Sequence, residues 1–479
     1  MKTIPAVILF LLGYSCFSQT CDCLSEFRYV KKYYEENHPG FQLNIKPDAK
    51  KLEAYNAACK QIENRIGKSK PGQLCIFFLE DYIELLKDHH ISIDPNIRKL
   101  AVVNENSEQE VQDLFQSAIY KNHERFRWDS VSLVNKLKTK PANSIEGLYK
   151  NASGNLMAVI ANRTNERDYV GVMLQSSSKL WKYGFEKMEL KYVKENVYDV
   201  SIYTRSFAKV GKRIKIRDGA IYYFGISKAR QEDNSTKKLP YEFKGIDENT
   251  NYLRLSSFDA SLYSQLDSFY KSIDKEIKSK PNLIVDIRDN GGGSESCFFP
   301  LLQYSYTKPI VVNKLELWAT DDNIKLYEDY VGRMKKDSNN FGVSAIQSNE
   351  SIIEKMKKAD RHTFIAMSDK MPEPIVMDSV YKFPSKIILL QNRFSASSAE
   401  GFIFMMSQSD KVVTAGENSG GFVGFGNVLP SQTPGGCFVL NCTTMKYGDQ
   451  YKYEFTGRPP RKYIPASADW IQYAQRMFK

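Results

Sequence analysis

The hydrophobic and polar positions change their spacing twice along the chain. Between residues 20 and 125 the apolar positions recur as in amphipathic helices. This spacing predicts helices at 24–36, 49–66, 72–87 and 107–125. Between 145 and 235 apolar and polar positions alternate, which predicts strands at 156–161, 170–174, 197–203 and 220–224. The pattern indicates an N-terminal helical domain at 19–130, followed by an inserted β-rich module at 140–240 that acts as a substrate gate, a partner-binding module or a structural lid.

From residue 245 strands and helices alternate, as in α/β proteins. The pattern predicts strands at 252–256, 283–287 and 386–390, and helices at 259–277, 399–406 and 469–477. A stretch near 320–362, rich in Lys, Asp, Asn and Ser, predicts a helical insertion with exposed faces. The fold class is therefore α/β, with its core domain at 245–479.

The N-terminus has the order of a secretory signal peptide. Lys2 precedes an apolar run from Ile4 to Leu12, and small and polar residues follow. We expect residues 1–18 to be removed and the mature protein to be periplasmic or secreted. No later stretch reaches the roughly 18 uninterrupted apolar residues of a membrane-spanning helix, so we expect no integral membrane segment after cleavage.

Seven cysteines remain after such a cleavage, which fits an oxidising compartment. We expect Cys21 and Cys23 to pair with Cys59 and Cys75, and Cys437 to pair with Cys442 across a hairpin. Cys297 is then the odd thiol, behaving as a small buried apolar residue. The pairing within the first four stays open, since four cysteines allow three connectivities. A zinc site is not expected, because the spacing of Cys21 and Cys23 is wrong for one.

The formal net charge of +11 raises the question of a nucleic-acid partner. Lysines and arginines are spread along the chain, and no nucleic-acid-binding motif accompanies them. Solvated faces explain the charge, and we expect no nucleic-acid partner.

Ser397 carries the first chemical signal. It lies in the segment Phe394-Ser395-Ala396-Ser397-Ser398-Ala399-Glu400, directly after a predicted strand and before a predicted helix. A tight turn of small residues between a strand and a helix is how nucleophilic serines are often held, with the helix dipole favouring developing negative charge. Taken alone, the same pattern also fits a serine N-cap.

Two further segments add weight to that turn. The apolar run Leu283–Ile287 leads into Gly291-Gly292-Gly293, whose backbone N–H groups can face a cavity and form an oxyanion hole or a phosphate cradle. The spacing does not match a P-loop or a dinucleotide fingerprint. His89 and His90 stand together at the end of a predicted helix, where one of them can act as a general base.

Together these segments resemble the C-terminal-processing and tricorn-type serine peptidases of family S41. The resemblance covers roughly residues 20–100, 245–310 and 375–479, and it is carried by "YYEENHPGF", "LKDHHISI", "LIVDIRDNGGG", "FSASSAE", "VVTAGENSGG" and "YEFTGRPPRKYIPAS". It implies a core with the crotonase/ClpP-like β–α superhelix.

The resemblance also implies which branch of the family this chain follows. The processing branch carries a lysine after a Gly-Glu-x-x-x-Gly segment, and here Phe422 stands in its place, so the Ser–Lys dyad is absent. The tricorn-like branch uses a histidine near the N-terminal helices and a glutamate near the C-terminus, and His90 and Glu454 stand at matching places.

By this resemblance Ser397 is the nucleophile, His90 the base and Glu454 the group that orients the imidazole. His90 is preferred over His89 because it fits the Asp-x-His pattern of the family. The implied oxyanion hole consists of backbone N–H groups, those of Ser398 and of Gly291 or Gly292.

Other residues near these positions were weighed for the same roles. Glu400 and Glu417 are alternatives to Glu454, but both look structural, the first in a helix turn and the second in a loop turn. Ser395 and Ser398 likewise look like turn residues beside the nucleophile.

The function expected from the resemblance is that of a serine endopeptidase acting on exported or unfolded proteins. It needs no cofactor and no metal, its partner is a peptide or unfolded protein substrate, and a homo-oligomer is compatible with it. The alternative is a catalytically silent S41 scaffold that binds a peptide or a small hydrophobic ligand.

Overall fold

A computed structural model describes residues 21–70, 74–100, 102–141, 143–216, 220–228, 239–337, 342–370 and 372–479. The predicted signal peptide at 1–18 lies outside the described residues. Helices and sheets are both present, which confirms the mixed α and β composition. The superhelix topology and the domain limits stay predictions.

The α-helices number twelve among the described residues. In chain order they are α1 (Cys23–Asn37), α2 (Ala49–Gly67), α3 (Cys75–Leu86), α4 (Glu108–Gln116), α5 (Ala118–Lys121), α6 (Ser130–Lys138), α7 (Tyr263–Ile277), α8 (Leu302–Ser305), α9 (Asp321–Lys336), α10 (Val343–Lys358), α11 (Ser398–Met406) and α12 (Trp470–Arg476). Aspartates at the N-caps accept backbone N–H groups of the first turn, as Asp48 does for α2 and Asp469 for α12.

The strands fall into three sheets. In chain order they are β1 (Ser92–Pro95), β2 (Gly147–Asn151), β3 (Leu156–Ala161), β4 (Tyr169–Gln175), β5 (Glu186–Lys194), β6 (Val197–Tyr203), β7 (Lys209–Lys215), β8 (Ala220–Ile221), β9 (Ile226–Lys228), β10 (Tyr241–Gly245), β11 (Thr250–Leu255), β12 (Asn282–Asp286), β13 (Leu315–Ala319), β14 (Thr363–Ala366), β15 (Lys386–Gln391), β16 (Val412–Gly416), β17 (Phe425–Gln432), β18 (Phe438–Tyr447) and β19 (Lys462–Tyr463).

The alternating segment forms an antiparallel sheet of eight strands, in the order β7-β6-β5-β4-β3-β2-β9-β8. Its inward side chains, such as Tyr149, Met188 and Val200, pack into one core with Phe185 and Phe207.

The strands predicted at 156–161, 170–174 and 197–203 correspond to β3, β4 and β6. The strand predicted at 220–224 is wrong beyond Ile221, because Tyr222–Phe224 forms a 3₁₀ turn. Both faces of β3 and β4 are buried, since alternate residues belong to two different apolar clusters.

The second sheet has the order β10-β11-β12-β15-β16-β19, and its strands run parallel from β11 to β19. Helices cover both of its faces. Successive side chains of β15 alternate between the faces, so Leu389 packs in a cluster with Leu266 of α7 while Ile388 packs in another with Trp470 of α12. The carboxyl ends of β12 and β15 lie side by side, which brings the glycine turn beside the turn that carries Ser397.

The third sheet joins the N-terminal helices to the C-terminal half of the chain. Its order is β1-β18-β13-β14, with β17 also paired to β18. Strand β1 begins two residues after His90, and its residue Ser92 pairs with Asn441 of β18. This pairing fixes the histidine segment against the part of the chain that contains Glu454.

One predicted helix is interrupted in the structure. The helix expected at 107–125 is broken into α4 and α5, because Ser117 adopts an extended conformation and its hydroxyl accepts the Tyr120 N–H. After the glycine turn the chain forms 3₁₀ turns at Glu295–Cys297 and Phe299–Leu301, and Pro300 in the second turn has no N–H to donate. The helical insertion predicted near 320–362 contains α9 and α10.

The disulfides are Cys21–Cys437 and Cys23–Cys75. The predicted Cys437–Cys442 pair is wrong. Cys437 directly precedes β18 and Cys442 lies within it, where an extended chain rises by about 3.3 Å per residue, whereas a disulfide needs Cα atoms within about 7 Å. Cys59, which was a candidate partner for the N-terminal cysteines, is a buried free thiol, as are Cys297 and Cys442.

None of the helices in the described part of the chain combines the length and apolar character needed to cross a bilayer.

Candidate functional site

Ser397 lies between the end of β15 and the start of α11. Its backbone has φ 55° and ψ −122°, in the left-handed half of the map that residues other than glycine rarely adopt. A serine held in such a strained turn at a helix N-terminus is the arrangement of a nucleophile elbow. Its side chain is half-buried, so the hydroxyl is within reach of a ligand.

The turn is fixed by its neighbours on β12. The buried Ser395 hydroxyl donates to the Ile287 carbonyl at 2.8 Å and accepts the Asn392 N–H at 3.0 Å. The Ala396 N–H donates to the Asn290 carbonyl at 2.9 Å. Ser395 therefore has a structural role in the turn, and the strain at Ser397 is held by bonds on the residues before it.

The glycine turn touches the serine turn directly. Gly292 has φ 95°, and a Cβ on it would lie 2.6 Å from the Ala396 carbonyl oxygen and 2.8 Å from the Ser397 Cβ. Its N–H donates to the Asn290 side chain at 3.0 Å. The N–H groups of Gly291 and Ser398 have no acceptor among the described residues. Two uncommitted backbone donors thus lie beside Ser397, and Gly292 provides the close approach.

Glu400 joins the serine turn to the loop 419–424. Its buried carboxylate accepts the Ser397 N–H at 3.1 Å and the Phe422 N–H at 2.6 Å on one oxygen, and the Gly421 N–H at 3.0 Å and the Ser419 hydroxyl at 2.5 Å on the other. Burial raises the pKa of Glu400. Its contacts are all with this scaffold, which agrees with the structural role expected for it.

His90 follows α3, whose C-cap Lys87 is in the left-handed conformation. The His90 backbone N–H donates to the Asp88 carboxylate at 2.8 Å, and the His90 Nδ1 lies 3.7 Å from the same oxygen. This Nδ1 is buried and has no hydrogen-bond partner among the described residues, while 23% of the side chain remains exposed. One edge of the His90 imidazole therefore faces the Asp88 carboxylate, and part of the ring is exposed to solvent.

Asp88 is a side chain to which the sequence analysis gave no role. It is fully buried, and its second oxygen receives hydrogen bonds from His38 Nε2 at 2.9 Å and from the Thr443 hydroxyl at 2.8 Å. His38 Nδ1 accepts the Phe41 N–H at 3.1 Å, so the Nε2 carries the proton that it donates to Asp88.

Burial on its own raises the pKa of Asp88, but the hydrogen bonds from His38 and from the His90 backbone N–H lower it, and the net pKa lies below its ordinary value. Asp88 is thus held ionised. Two sequence signals pointed toward it: the Asp-x-His pattern, and a histidine in the "YYEENHPGF" segment.

Glu454 is buried at the end of a 3₁₀ turn, and not on an exposed strand. One carboxylate oxygen accepts the Val423 N–H at 3.0 Å and the Gly424 N–H at 2.7 Å, and the other accepts the His89 N–H at 3.3 Å. Burial, followed by the charge of Asp88, raises the pKa of Glu454 to about 8.

The structure places His90 and Glu454 close together. One side-chain N or O atom from each of Asp88, His90 and Glu454 lies within 4.8 Å of the other two. Of the described residues, this is the one group whose donor atoms are spaced to hold a metal ion, although the same atoms suit an acid–base relay.

Phe422 lies where the processing branch of the family would have its lysine. Its ring stacks on His89 at 4.2 Å between centroids and meets His90 edge-on at 5.7 Å. The other face of His89 stacks on Phe455 at 4.5 Å. Although an edge of His89 is exposed, burial of its faces lowers its pKa to about 4, so it is neutral near pH 7.

The serine and the histidine are linked through Phe422. Its N–H shares a Glu400 oxygen with the Ser397 N–H, and its ring contacts the His90 ring. No hydrogen bond joins the Ser397 hydroxyl to His90 within the described residues. Catalytic hydrogen bonds are often long in unliganded enzymes and shorten when substrate binds.

Comparisons with known proteins bear on the family of the chain. A profile described as peptidase family S41 matches residues 249–457, a range that contains both the glycine turn and the serine turn. No curated protein matches the chain by sequence.

Among solved structures, mature CPAF is similar at 14% identity, with 95% of each chain covered and a TM-score of 0.47. The photosystem II D1 C-terminal processing protease is similar at 11% identity, with 95% of this chain and 97% of that chain covered and a TM-score of 0.36. The tricorn protease is similar at 12% identity, with 92% of this chain and 34% of that chain covered and a TM-score of 0.32. The profile match shows that residues 249–457 are similar to peptidase family S41.

Proposed function

We propose that the protein is a serine peptidase in which Ser397 is the nucleophile and His90 the general base. The observation that carries the proposal is the strained Ser397 turn with the uncommitted N–H groups of Gly291 and Ser398 beside it. Ser397 is also the N-cap of α11, in a capping box with Glu400, but a cap does not require its positive φ. Strain held by buried hydrogen bonds, next to N–H groups without an acceptor among the described residues, suits a hydroxyl that must be presented to a carbonyl.

The first half of the reaction forms an acyl-enzyme. The Ser397 Oγ attacks the peptide carbonyl while its proton passes to His90. The carbonyl oxygen becomes an oxyanion that accepts hydrogen bonds from the Gly291 and Ser398 N–H groups. Collapse of this intermediate breaks the C–N bond, and His90 returns the proton to the leaving amine. Water then attacks the ester by the same path and releases Ser397.

Asp88 and Glu454 have different parts in this proposal. Asp88 is ionised and lies 3.7 Å from the His90 Nδ1, so it stabilises the imidazolium that forms during attack. Glu454 is largely neutral near pH 7 and binds the backbone of His89 and of the loop after Phe422. It positions the histidine segment against the loop that is bonded to Glu400. The base therefore depends on His90 and Asp88, and the missing lysine is not needed.

Export of the protein is a further part of the proposal. The disulfides Cys21–Cys437 and Cys23–Cys75 support it, because such bonds persist in oxidising compartments and are rare in the cytosol. A periplasmic or secreted location fits these bonds and the expected signal peptide. Substrates in that setting are exported or unfolded polypeptides, cleaved internally.

The alternative is a catalytically silent binding protein on the same scaffold. Phe422 in the place of the lysine, and a Ser397 hydroxyl without a hydrogen bond to His90 among the described residues, are the observations in its favour.

A fluorophosphonate probe distinguishes the two functions. We expect covalent labelling of Ser397 in the wild type, found by peptide mass spectrometry, and no labelling in Ser397→Ala. His90→Ala should abolish labelling, while His89→Ala should retain it, because His89 is a neutral ring between two phenylalanines. Thermal melting of each variant checks that it is folded. A folded wild type that is never labelled would favour the silent binding protein.

A further inference from the structure

The eight-stranded sheet contains a cavity that is separate from the proposed active site. Its volume is about 220 Å³. Part of its lining is apolar, with Met157 from β3, Met173 from β4 and the Trp181 ring from the loop before β5. Pockets that hold drug-sized ligands have volumes of roughly 300–1,000 Å³, so a ligand here must be smaller than that.

One wall of the cavity carries a lysine in an unusual environment. The Lys187 Nζ lies 3.7 Å from the centroid of the Trp181 ring and donates a hydrogen bond to the Tyr203 carbonyl oxygen. Lys187 forms no ion pair with a carboxylate among the described residues. The ammonium is thus held by a ring face and one carbonyl, and its charge is not neutralised.

The rest of the polar lining adds hydrogen-bond donors. Arg205 reaches the cavity with its side chain 65% exposed, and its nearest carboxylate is that of Glu105, at 3.6 Å. Asn151 and Asn155 accept backbone N–H groups with their side-chain oxygens, which leaves the NH₂ of each amide as a donor. No lining residue in the described part of the chain is acidic. The site therefore combines a partly apolar lining with positive charge and donors.

We propose that this cavity binds a small organic anion, a carboxylate with an apolar or aromatic body, whose carboxylate pairs with Lys187 and Arg205. The apolar body fills the space between the two methionines and Trp181. The anion supplies a negatively charged acceptor for Lys187, beside the Tyr203 carbonyl, and acceptors for the asparagine amides. Burial is the main cause that lowers the pKa of Lys187, to about 7, and Arg205 adds to it, so a bound anion would raise that pKa and favour the charged ammonium.

An acid and its isosteric amide test the charge requirement on the unmodified protein. Isothermal titration calorimetry with 3-phenylpropionate and with 3-phenylpropanamide should show the acid binding at least tenfold more tightly. Equal affinities, or no heat from either compound, would contradict an anion site. A peptide with a free C-terminal phenylalanine that binds while phenylpropionate does not would also contradict a site for a small molecule.

Variants locate the site. Lys187→Met keeps the apolar stem and removes the charge, and we expect it to weaken 3-phenylpropionate at least tenfold. Lys150→Met, an exposed lysine on the same sheet, is the matched control and should bind like the wild type. Arg205→Gln should give an intermediate loss. Unchanged affinity in Lys187→Met would place the anion elsewhere. Because labelling of Ser397 is measured separately, this result does not depend on the peptidase proposal.

Discussion

Two buried carboxylates beside His90 differ in charge because they have different partners. Asp88 receives hydrogen bonds from His38, Thr443 and the His90 N–H, and these keep it ionised. Glu454 receives only backbone N–H groups, and it faces the charge of Asp88. Two acids so close cannot both ionise without cost, and the hydrogen bonds decide which one does.

Asp88→Asn should test the role assigned to that charge. We expect a folded protein whose rate of labelling at Ser397, and whose kcat/KM with any peptide substrate, falls by about 10²–10⁴-fold, as for loss of an acid–base element. Thr443→Val is the control, because it removes one hydrogen bond to Asp88 and leaves the charge. An Asp88→Asn variant with wild-type rates would show that Asp88 has no part in the relay.

Glu454→Gln should make stability less sensitive to pH. The pKa of Glu454 is about 8 in the folded protein, against an ordinary value of 4.5. Its contribution to stability is complete below about pH 4.5 and is lost as the pH rises through the folded value, since the folded protein must then ionise a buried acid. In thermal melting between about pH 5 and pH 9, the wild type should lose stability relative to Glu454→Gln. A constant difference across this range would contradict the raised pKa.

The site is assembled from turns at strand ends and not from the regular elements themselves. Parallel pairing of β12 with β15 puts the glycine turn beside the serine turn, and the loop 419–424 after β16 closes over both through Glu400. The glycine turn and the serine turn each contain a residue with a positive φ angle, Gly292 and Ser397, and these two residues lie against each other.

Gly292→Ala should disrupt this contact. At φ 95° an alanine is strained, and its Cβ would collide with the Ala396 carbonyl and with Ser397. We expect a loss of about 2 kcal/mol or more in unfolding free energy, together with loss of Ser397 labelling. Gly291→Ala is the matched control for stability, because a Cβ there meets nothing within 4 Å. Similar melting temperatures for Gly292→Ala and the wild type would mean that the turns can separate.

Across the whole molecule, covalent and sheet contacts join the two ends of the described chain. Cys21 is bonded to Cys437, and β1 pairs with β18, so both the start of α1 and the segment after His90 are attached to the region around β18. The geometry of the proposed relay therefore depends on contacts between residues far apart in the chain, such as the Asp88–Thr443 hydrogen bond, which spans 355 positions.

Removing the Cys21–Cys437 bond should destabilise the protein by about 2–5 kcal/mol. Cys21→Ser, Cys437→Ser and the double variant should lose the same amount, because each lacks the same bond. Non-reducing peptide mapping should find Cys437 linked to Cys21 and Cys442 as a free thiol. A Cys437–Cys442 peptide would contradict the structure.

The sequence by itself determined the local elements and the residues with chemical character. Period-2 alternation located β3, β4 and β6 of the eight-stranded sheet, and small residues between an apolar strand and a helix located the Ser397 turn, because both signals depend on neighbours in the chain. The broken helix at Ser117 and the 3₁₀ turn at Tyr222–Phe224 show where a local conformation overrode the apolar spacing.

Only the tertiary structure decided which partners those residues have. His38 and Thr443 hold Asp88, the cysteine at position 437 pairs with position 21, and Lys187 faces a cavity without a carboxylate among its described lining. Charge state and pairing depend on distance in space and on burial, and neither is recorded in the spacing of residues along a chain. That is why the sequence named His90 and Glu454 but could not say that the ionised carboxylate beside His90 is Asp88.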